Sequence, residues 1–225
     1  MRGRQRTAIF ISGRGSNMGS LIGAARDPYF PAEIALVLSN RPEAEGLSVA
    51  KAAGIATAAI DHRIYAGRAA FEGSCQAMLD IHRIDLICLA GFMRMLTPAF
   101  VEHWRERMIN VHPALLPAYP GLNTHARALA DGVKIHGCTV HYVVPEMDAG
   151  PIIAQAAVAV LDADTSETLA ARVLAQEHVI YPTALRLVAS GAARIEGNHV
   201  RLEGTGEAPQ PLLVPAPRAT FSPGE

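Results

Sequence analysis

The sequence alternates short apolar segments with longer helix-like segments, and this alternation constrains the fold more than any other feature. The clearest apolar segment is residues 85–90 (DLICLA), whose nearly continuous hydrophobicity is typical of a strand at the centre of a covered sheet. The βαβα rhythm with short connections predicts an α/β fold, a doubly wound and mainly parallel sheet flanked by helices. The other strands predicted here are residues 7–12, 34–39, 56–60 and 107–111. The predicted helices are one that follows a Gly/Ser turn and ends at about residue 25, and two at residues 44–53 and 67–83.

The pattern changes after residue 121. Two predicted strands, residues 137–144 and 151–160, are joined by a tight turn containing Asp-Ala-Gly, which suggests an antiparallel extension of the sheet. A long amphipathic helix is predicted at residues 165–189, with Thr165 or Ser166 as its N-cap. The remaining predicted elements are a short helix at residues 123–130 and a small hairpin at residues 193–202.

The length of 225 residues suits one domain with a large core. We predict this domain over residues 1–204, with two halves that meet at about residue 105. Residues 205–225 carry five prolines and little periodicity, which is typical of a surface strap or a frayed tail.

Composition argues against several classes of protein. The formal net charge is −1 and no long basic block occurs, so no nucleic-acid partner is expected. No apolar run approaches the length of a membrane span, so no membrane partner is expected either. The three cysteines, Cys75, Cys88 and Cys138, are widely spaced, which argues against disulfides and metal sites and favours a reducing, cytoplasmic location.

The first candidate site lies in residues 108–121 (MINVHPALLPAYPG), where Asn110 and His112 precede three prolines. Two residues that are two positions apart on an extended segment point to the same side. An amide and an imidazole placed in this way can polarise one carbonyl, as acyl-type transfer requires. The alternative is a structural histidine at a strand end, capped by local backbone.

The second candidate site is the glycine loop at residues 12–17 (SGRGSN), between a predicted strand and a predicted helix. Free N–H groups at a helix start bind phosphate well. A dinucleotide fingerprint is not complete, because its third glycine would fall at Met18 and no acid follows the second strand. The loop therefore suits a monophosphate, and the alternative is a tight turn without a ligand.

Other polar residues have plain structural interpretations. Asp148 lies in a turn where an ordinary Asx turn is expected, and Glu177 on the long helix would usually be a solvated charge. His125 and His141 are more often structural than ligating. No cluster of histidines and cysteines has metal-ligand spacing, so no metal is expected.

Six segments together resemble one enzyme family along nearly the full length of the chain. The middle segments are similar to those of 10-formyltetrahydrofolate enzymes in general. The first and last segments narrow the resemblance to the phosphoribosylglycinamide formyltransferase branch. The six are ISGRGSN (11–17), LAGFMRMLTPAF (89–100), NVHPALLPAYPGLNTH (110–125), HGCTVHYV (136–143), MDAGPII (147–153) and QEHVIYP (176–182).

The resemblance implies a Rossmann-like fold and formyl transfer from 10-formyltetrahydrofolate, a co-substrate, to the amine of glycinamide ribonucleotide in purine synthesis. Asn110, His112 and Asp148 would be the catalytic trio, which stabilises an oxyanion and moves a proton without a metal or a covalent intermediate. The first half of the domain would bind phosphate, and the second would hold the folate and the catalytic groups. The enzyme would be a monomer or a homodimer.

The resemblance also implies the binding residues. Gly15, Ser16 and Asn17 would hold the phosphate, Glu177 the ribose, and His125 would support the trio. The folate-binding residues would be Phe92, Met93, Arg94, Met95, Leu96, Asn110, Val143 and Asp148. Three positions depart from the family's usual pattern, namely Asn123, Ala149 and Leu174.

Three rivals share parts of these features. Formyltetrahydrofolate hydrolase would carry an additional N-terminal regulatory domain, whereas the first predicted strand here starts at about Thr7. Methionyl-tRNA formyltransferase would append a basic C-terminal domain, whereas a short proline-rich tail follows Leu202. A non-enzymatic nucleotide-binding module would explain the glycine loop but not the Asn-x-His and Asp-Ala-Gly segments.

Overall fold

The computed structural model describes residues 3–204 and 212–214, so the predicted tail lies mostly outside the described residues. Its main feature is a seven-stranded sheet. The strands are β1 (Gln5–Ile11), β2 (Ala32–Ser39), β3 (Ala56–Ala59), β4 (Leu86–Leu89), β5 (Met108–His112), β6 (Ile135–Tyr142) and β7 (Ile152–Ala159).

The order of the strands across the sheet is β3-β2-β1-β4-β5-β6-β7. The first five are parallel, and β6 pairs antiparallel with both β5 and β7. The predicted doubly wound sheet and its antiparallel extension are both confirmed. The order reverses between β1 and β4, which is where ligands collect in open α/β sheets, outside the carboxyl ends of the strands.

The helices follow the predicted pattern with two additions. The predictions missed a short α-helix and a 3₁₀ turn (His62–Ile64), because neither is long enough to show a helical period. The missed helix starts where Thr97 caps it and a proline follows, which is a favourable N-terminus. The α-helices are α1 (Ser16–Ala25), α2 (Glu45–Ala52), α3 (Arg68–Ile81), α4 (Pro98–His103), α5 (Thr124–Ala130) and α6 (Ser166–Ser190).

The core has a layer on each face of the sheet. Ile9 and Ile11 of β1 belong to the cluster that contains residues of α1 and α6, whereas Phe10 belongs to the cluster that contains residues of α3 and α4. This is the alternation expected for a strand covered on both sides. All three cysteines are free and buried, which confirms that they are small core residues.

The long helix α6 packs on the first of these layers. Thr165 caps it, as one of the two predicted alternatives, and exchanges hydrogen bonds with Thr168 in a capping box. Gly191 ends it with a left-handed φ of 78°. The predicted hairpin follows as β8 (Ala193–Glu196) and β9 (His199–Leu202). Among residues 3–204 and 212–214, no helix is long and apolar enough to cross a membrane.

Candidate active site

Asn110 and His112 lie at the carboxyl end of β5, and their spacing directs both side chains to one side. The antiparallel pairing with β6 places His141 opposite Asn110 and Thr139 opposite His112. His112 is buried and Asn110 is partly buried. Both side chains are therefore held by a paired strand rather than by a loop, which keeps their positions well defined.

The backbone fixes the proton position on His112. Its Nε2 atom lies 2.9 Å from the carbonyl oxygen of Tyr119. A carbonyl only accepts hydrogen bonds, so Nε2 must carry a proton in either charge state. The Nδ1 atom faces Asp148, with 3.5 Å between Nδ1 and Oδ2. Nδ1 is therefore the nitrogen that can gain or lose a proton at the site.

Asp148 reaches the site from the loop between β6 and β7. Its backbone has a left-handed φ of 53°, and its Oδ2 accepts a hydrogen bond of 2.8 Å from the N–H of Gly121. The expected local Asx turn is therefore wrong as an account of this carboxylate, which bonds across to another loop. Gly150 permits the arrangement, because a Cβ there would lie 1.8 Å from the carbonyl oxygen of Tyr142.

His141, which the sequence analysis interpreted as a structural histidine, lies in the site. Its Nδ1 donates to the carbonyl of Tyr142 at 2.8 Å, which leaves Nε2 to accept from the Nδ2 amide group of Asn110 at 3.3 Å. Burial lowers the pKa of His141, which favours this neutral form. Its Nε2 also lies 3.9 Å from Oδ1 of Asp148. The position of His141 opposite Asn110 becomes visible only with the pairing of β5 and β6.

A cleft of about 140 Å³ opens beside these residues. Of the predicted folate-binding residues, all but Met93 line it, and Met93 instead lines a second cavity. The cleft is lined by Leu89, Phe92, Arg94, Met95, Leu96, Val101, Asn110, His141, Val143, Val144, Pro145, Glu146, Met147 and Asp148.

The segment 91–97 forms one wall of the cleft and is held by hydrogen bonds near both of its ends. The N–H of Ser12 donates to the carbonyl of Gly91 at 3.1 Å, and the N–H of Met93 donates to the hydroxyl of Ser12 at 2.8 Å. At the other end, the N–H of Thr97 donates to the buried carboxylate of Glu72 at 2.7 Å. The wall is thus positioned by the same serine that ends β1 and begins the glycine loop.

The glycine loop lines the second cavity, of about 260 Å³. Gly15 begins α1 with a left-handed φ of 74°, and no side chain caps the helix, so its first N–H groups are free for a ligand. A side chain on Gly15 would meet Met18 as well as this strained backbone. The cavity is lined by Ser12, Gly13, Arg14, Gly15, Ser16, Asn17, Arg41, Ala90, Gly91 and Met93.

Glu177 is brought from α6 to this loop. Its carboxylate accepts a hydrogen bond of 2.6 Å from Nδ2 of Asn17, and the residue is only 6 % exposed. The expected solvated charge is therefore wrong. Burial raises the pKa of Glu177, and such a desolvated carboxyl is more often functional than structural.

His125 lies behind the catalytic strand. Its ring centroid is 5.3 Å from that of His136 in an edge-on arrangement. Burial lowers the pKa of His125, and the nearby His112 lowers it further. Asn123, which precedes α5, has a left-handed φ of 57°, a conformation that asparagine tolerates well. This departure from the family's pattern is compatible with the local backbone.

Neither a cysteine nucleophile nor a metal cluster accompanies these groups. Burial raises the pKa of each cysteine thiol to about 12, so none is reactive. Within the part of the chain that the structure describes, no group of three or more acidic, histidine or cysteine side chains is placed to hold a metal.

A doubly wound sheet with these two cavities at its carboxyl edge defines a class of α/β protein that brings two small molecules together. One cavity is lined by the Asn110 amide, the His141 imidazole and the Asp148 carboxylate, and the other is lined by a glycine loop. The sequence agrees with this class, because residues 5–185 match the model of the formyl transferase family. The chain belongs to this family.

The individual relatives narrow the similarity further. The chain is 41 % identical over 202 residues to the phosphoribosylglycinamide formyltransferase of Escherichia coli strain K12, across 90 % of this chain and 95 % of the relative. It is 48 % identical over 195 residues to the trifunctional purine biosynthetic protein adenosine-3 of Bos taurus, across 87 % of this chain. That match spans only 19 % of the bovine protein.

A solved structure is similar over almost the whole described fold. It is glycinamide ribonucleotide transformylase 1 from Symbiobacterium toebii, with a TM-score of 0.86 and 44 % identity. The similarity covers 88 % of this chain and 94 % of that one. The Rossmann-like formyltransferase fold expected from the sequence is thereby confirmed.

Proposed function

We propose that the chain transfers the formyl group of 10-formyltetrahydrofolate to the amine of 5-phosphoribosylglycinamide, giving the N-formyl ribonucleotide and tetrahydrofolate for de novo purine (IMP) synthesis. One observation carries this proposal: Asn110 and Asp148 line one cavity, with Nδ1 of His112 3.5 Å from Oδ2 of Asp148, while a glycine loop lines the next cavity. The segment 91–96 contributes to both cavities, so a folate and a ribonucleotide would meet along it.

The chemistry follows from the protons on these side chains. The amine attacks the formyl carbon, a new C–N bond forms, and negative charge develops on the formyl oxygen. The second Nδ2 proton of Asn110 and an Nδ1 proton on His112 would donate to that oxygen. Such preorganised donors lower a barrier by about 3 kcal/mol each.

Asp148 has two tasks in this proposal. Its carboxylate lies 3.5 Å from Nδ1 of His112, where it would orient the imidazole that supplies the second donor. It also accepts the proton that the attacking amine loses and passes it, through a water molecule, to N10 of the folate as the C–N10 bond breaks. No covalent enzyme intermediate is needed.

The binding roles follow the same arrangement. The N–H groups of Gly15, Ser16 and Asn17 would hold the phosphate, and Glu177 beside Asn17 would accept hydrogen bonds from the ribose hydroxyls. His125 would support His112 from behind. The residues that would hold the folate are Phe92, Met93, Arg94, Met95, Leu96, Asn110, Val143 and Asp148.

The cellular setting belongs to the same proposal. Free buried cysteines suit a reducing cytoplasm, and the substrates are small molecules rather than nucleic acid or membrane. The enzyme would act as a monomer or a homodimer, with residues 1–204 as the formyltransferase domain.

A direct assay separates transfer from the rival activities. With 10-formyltetrahydrofolate alone, the protein should release little formate. Adding glycinamide ribonucleotide should start rapid formation of tetrahydrofolate and the formylated ribonucleotide. Brisk formate release that the amine does not affect would identify a hydrolase, and binding without turnover would identify a nucleotide-binding module.

A further inference from the structure

Two arginines line the glycine-loop cavity from different elements of the fold. Arg14 lies in the loop between β1 and α1, and Arg41 follows the end of β2. The cavity has no acidic lining residue and no lysine. Within residues 3–204 and 212–214, neither guanidinium group makes a hydrogen bond or an ion pair with another protein group. Two uncommitted positive charges thus face one small cavity.

One residue that lines the same cavity has a buried polar atom without a partner. Asn17 is only 8 % exposed, and its Oδ1 atom is buried without a hydrogen bond, although its Nδ2 is bonded to Glu177. An unsatisfied buried acceptor costs free energy in the folded protein, so it marks a place where a ligand donor is expected. A ribose hydroxyl beside the phosphate would supply that donor.

The backbone around both arginines is held in place. The N–H of Arg41 donates to the hydroxyl of Ser39 at 3.1 Å, and that hydroxyl donates back to the carbonyl of Arg41 at 2.9 Å. On the loop side, the N–H of Gly46 donates to the carbonyl of Gly13 at 3.1 Å. Both arginines therefore extend from anchored backbone.

The glycine loop alone does not supply enough positive charge to neutralise a phosphate group. A phosphate monoester carries about −1.5 to −2 charges at neutral pH. The N-terminus of a helix such as α1 supplies only about half a positive charge. Arginine forks match phosphate oxygens in a bidentate manner and lose little freedom when they bind. Two arginines and the helix end together balance the dianion.

We propose that Arg14 and Arg41 clamp the substrate's phosphate and set the requirement for a phosphorylated ribose. This assignment rests on the proposed function, since it concerns the ribonucleotide of that reaction. It adds two side chains to the backbone contacts of Gly15, Ser16 and Asn17. The clamp acts on binding of one substrate and leaves the catalytic trio untouched.

The test measures Arg14→Ala, Arg41→Ala and the double variant against Arg26→Ala. Arg26 lies at the opposite end of α1 and outside the cavity, so it controls for a general loss of positive charge. Each clamp variant should raise the KM for glycinamide ribonucleotide about tenfold, as expected for loss of a charged hydrogen-bonding group, and the double variant more. The kcat and the KM for the folate should remain near wild type.

A second measurement does not depend on the substrate or on catalysis. Titration calorimetry with inorganic phosphate should show weaker binding to both clamp variants but unchanged binding to Arg26→Ala. The wild type should also discriminate strongly against the unphosphorylated riboside, and the double variant should lose most of this discrimination. If the arginines had only a structural role, their removal would not reduce the preference for the ribonucleotide over the unphosphorylated riboside.

The outcomes separate the two proposals. If both clamp variants keep the wild-type KM, phosphate affinity and discrimination against the riboside, the clamp proposal is overturned. The formyl-transfer proposal still stands in that case if the wild-type protein is active. Weakened phosphate binding in the clamp variants, together with a wild type that does not use the ribonucleotide, would support the clamp and overturn the proposed reaction. A protein with lysine at both positions should bind phosphate more tightly than the double alanine variant but more weakly than the wild type. Lysine supplies the positive charge but not the bidentate guanidinium group.

Discussion

The Nδ1 atom of His112 lies 3.5 Å from the Oδ2 atom of Asp148, although the two residues come from a strand and from a distant loop. The carbonyl of Tyr119 occupies the other ring nitrogen, so the carboxylate faces the nitrogen that can change its protonation. The two side chains are therefore placed to act together on one proton of the reaction.

Replacement of Asp148 by asparagine should slow formyl transfer by about a hundredfold or more. The amide cannot accept the amine proton, although its oxygen can still bond to the N–H of Gly121. Stopped-flow or steady-state assays of tetrahydrofolate formation measure the effect. Phosphate binding at the glycine loop should be unchanged, and transfer at the wild-type rate would remove Asp148 from the mechanism.

His141 is expected to act as a positioning residue for Asn110. In His141→Phe the Nδ2 of Asn110 loses its acceptor and the amide is no longer held, so kcat should fall about tenfold while both KM values change little. His199→Ala, on the distant hairpin, is the control. A change in KM alone would indicate that His141 shapes the cleft instead of orienting the amide.

Gly15→Val should raise the KM for the ribonucleotide and leave folate binding nearly unchanged. Valine disfavours the left-handed φ of 74° at this position, and its side chain would press against Met18. Gly13→Ala is a matched control in the same loop, because a Cβ there meets no atom within 4 Å. An equal loss of folate affinity would mean that the variant disrupts the fold or that the loop serves the folate.

His136 should make the folded protein sensitive to mild acid. Burial, with the neighbouring His125 and His112, lowers its pKa from 6.5 to about 4. At pH values between these two pKa values, the imidazole is protonated in the unfolded chain but neutral in the folded chain. The free energy of unfolding therefore decreases as the pH falls. One such proton corresponds to about 1.4 kcal/mol per pH unit.

Urea unfolding at several pH values between 7 and about 4 would measure this effect. His136→Gln should lose part of the acid sensitivity of the wild type, because glutamine does not titrate. His125 and His141 contribute in the same direction and remain in both proteins, so the difference reports His136 together with its interaction with His125. Parallel stability curves for the two proteins would contradict the prediction.

The sequence predicted most of the fold because its signals are local and repeated. Apolar strands such as residues 85–90 and a long helix that starts at Thr165 are visible in short windows. The helix at residues 98–103 was missed because fewer than two turns do not establish a period. Strand ends differed by one or two residues, since pairing partners decide where a ladder stops.

Only part of the site was predicted from the sequence pattern, because the other residues depend on contacts between distant parts of the chain. Asn110 and His112 were visible because they are close in sequence. The burial of Glu177 depends on Asn17, and the role of His141 depends on its strand pairing with Asn110. Neither contact leaves a trace in a local window. Only the family resemblance pointed to Glu177, and nothing pointed to the two arginines of the cavity.

The most direct test of the catalytic account is His112→Ala. A donor that acts on an oxyanion formed only along the reaction path contributes to turnover and not to substrate binding. We predict that kcat for formyl transfer falls by about a hundredfold or more, while the dissociation constants of both substrates remain close to wild type. Near-normal kcat in a folded His112→Ala protein would contradict the account.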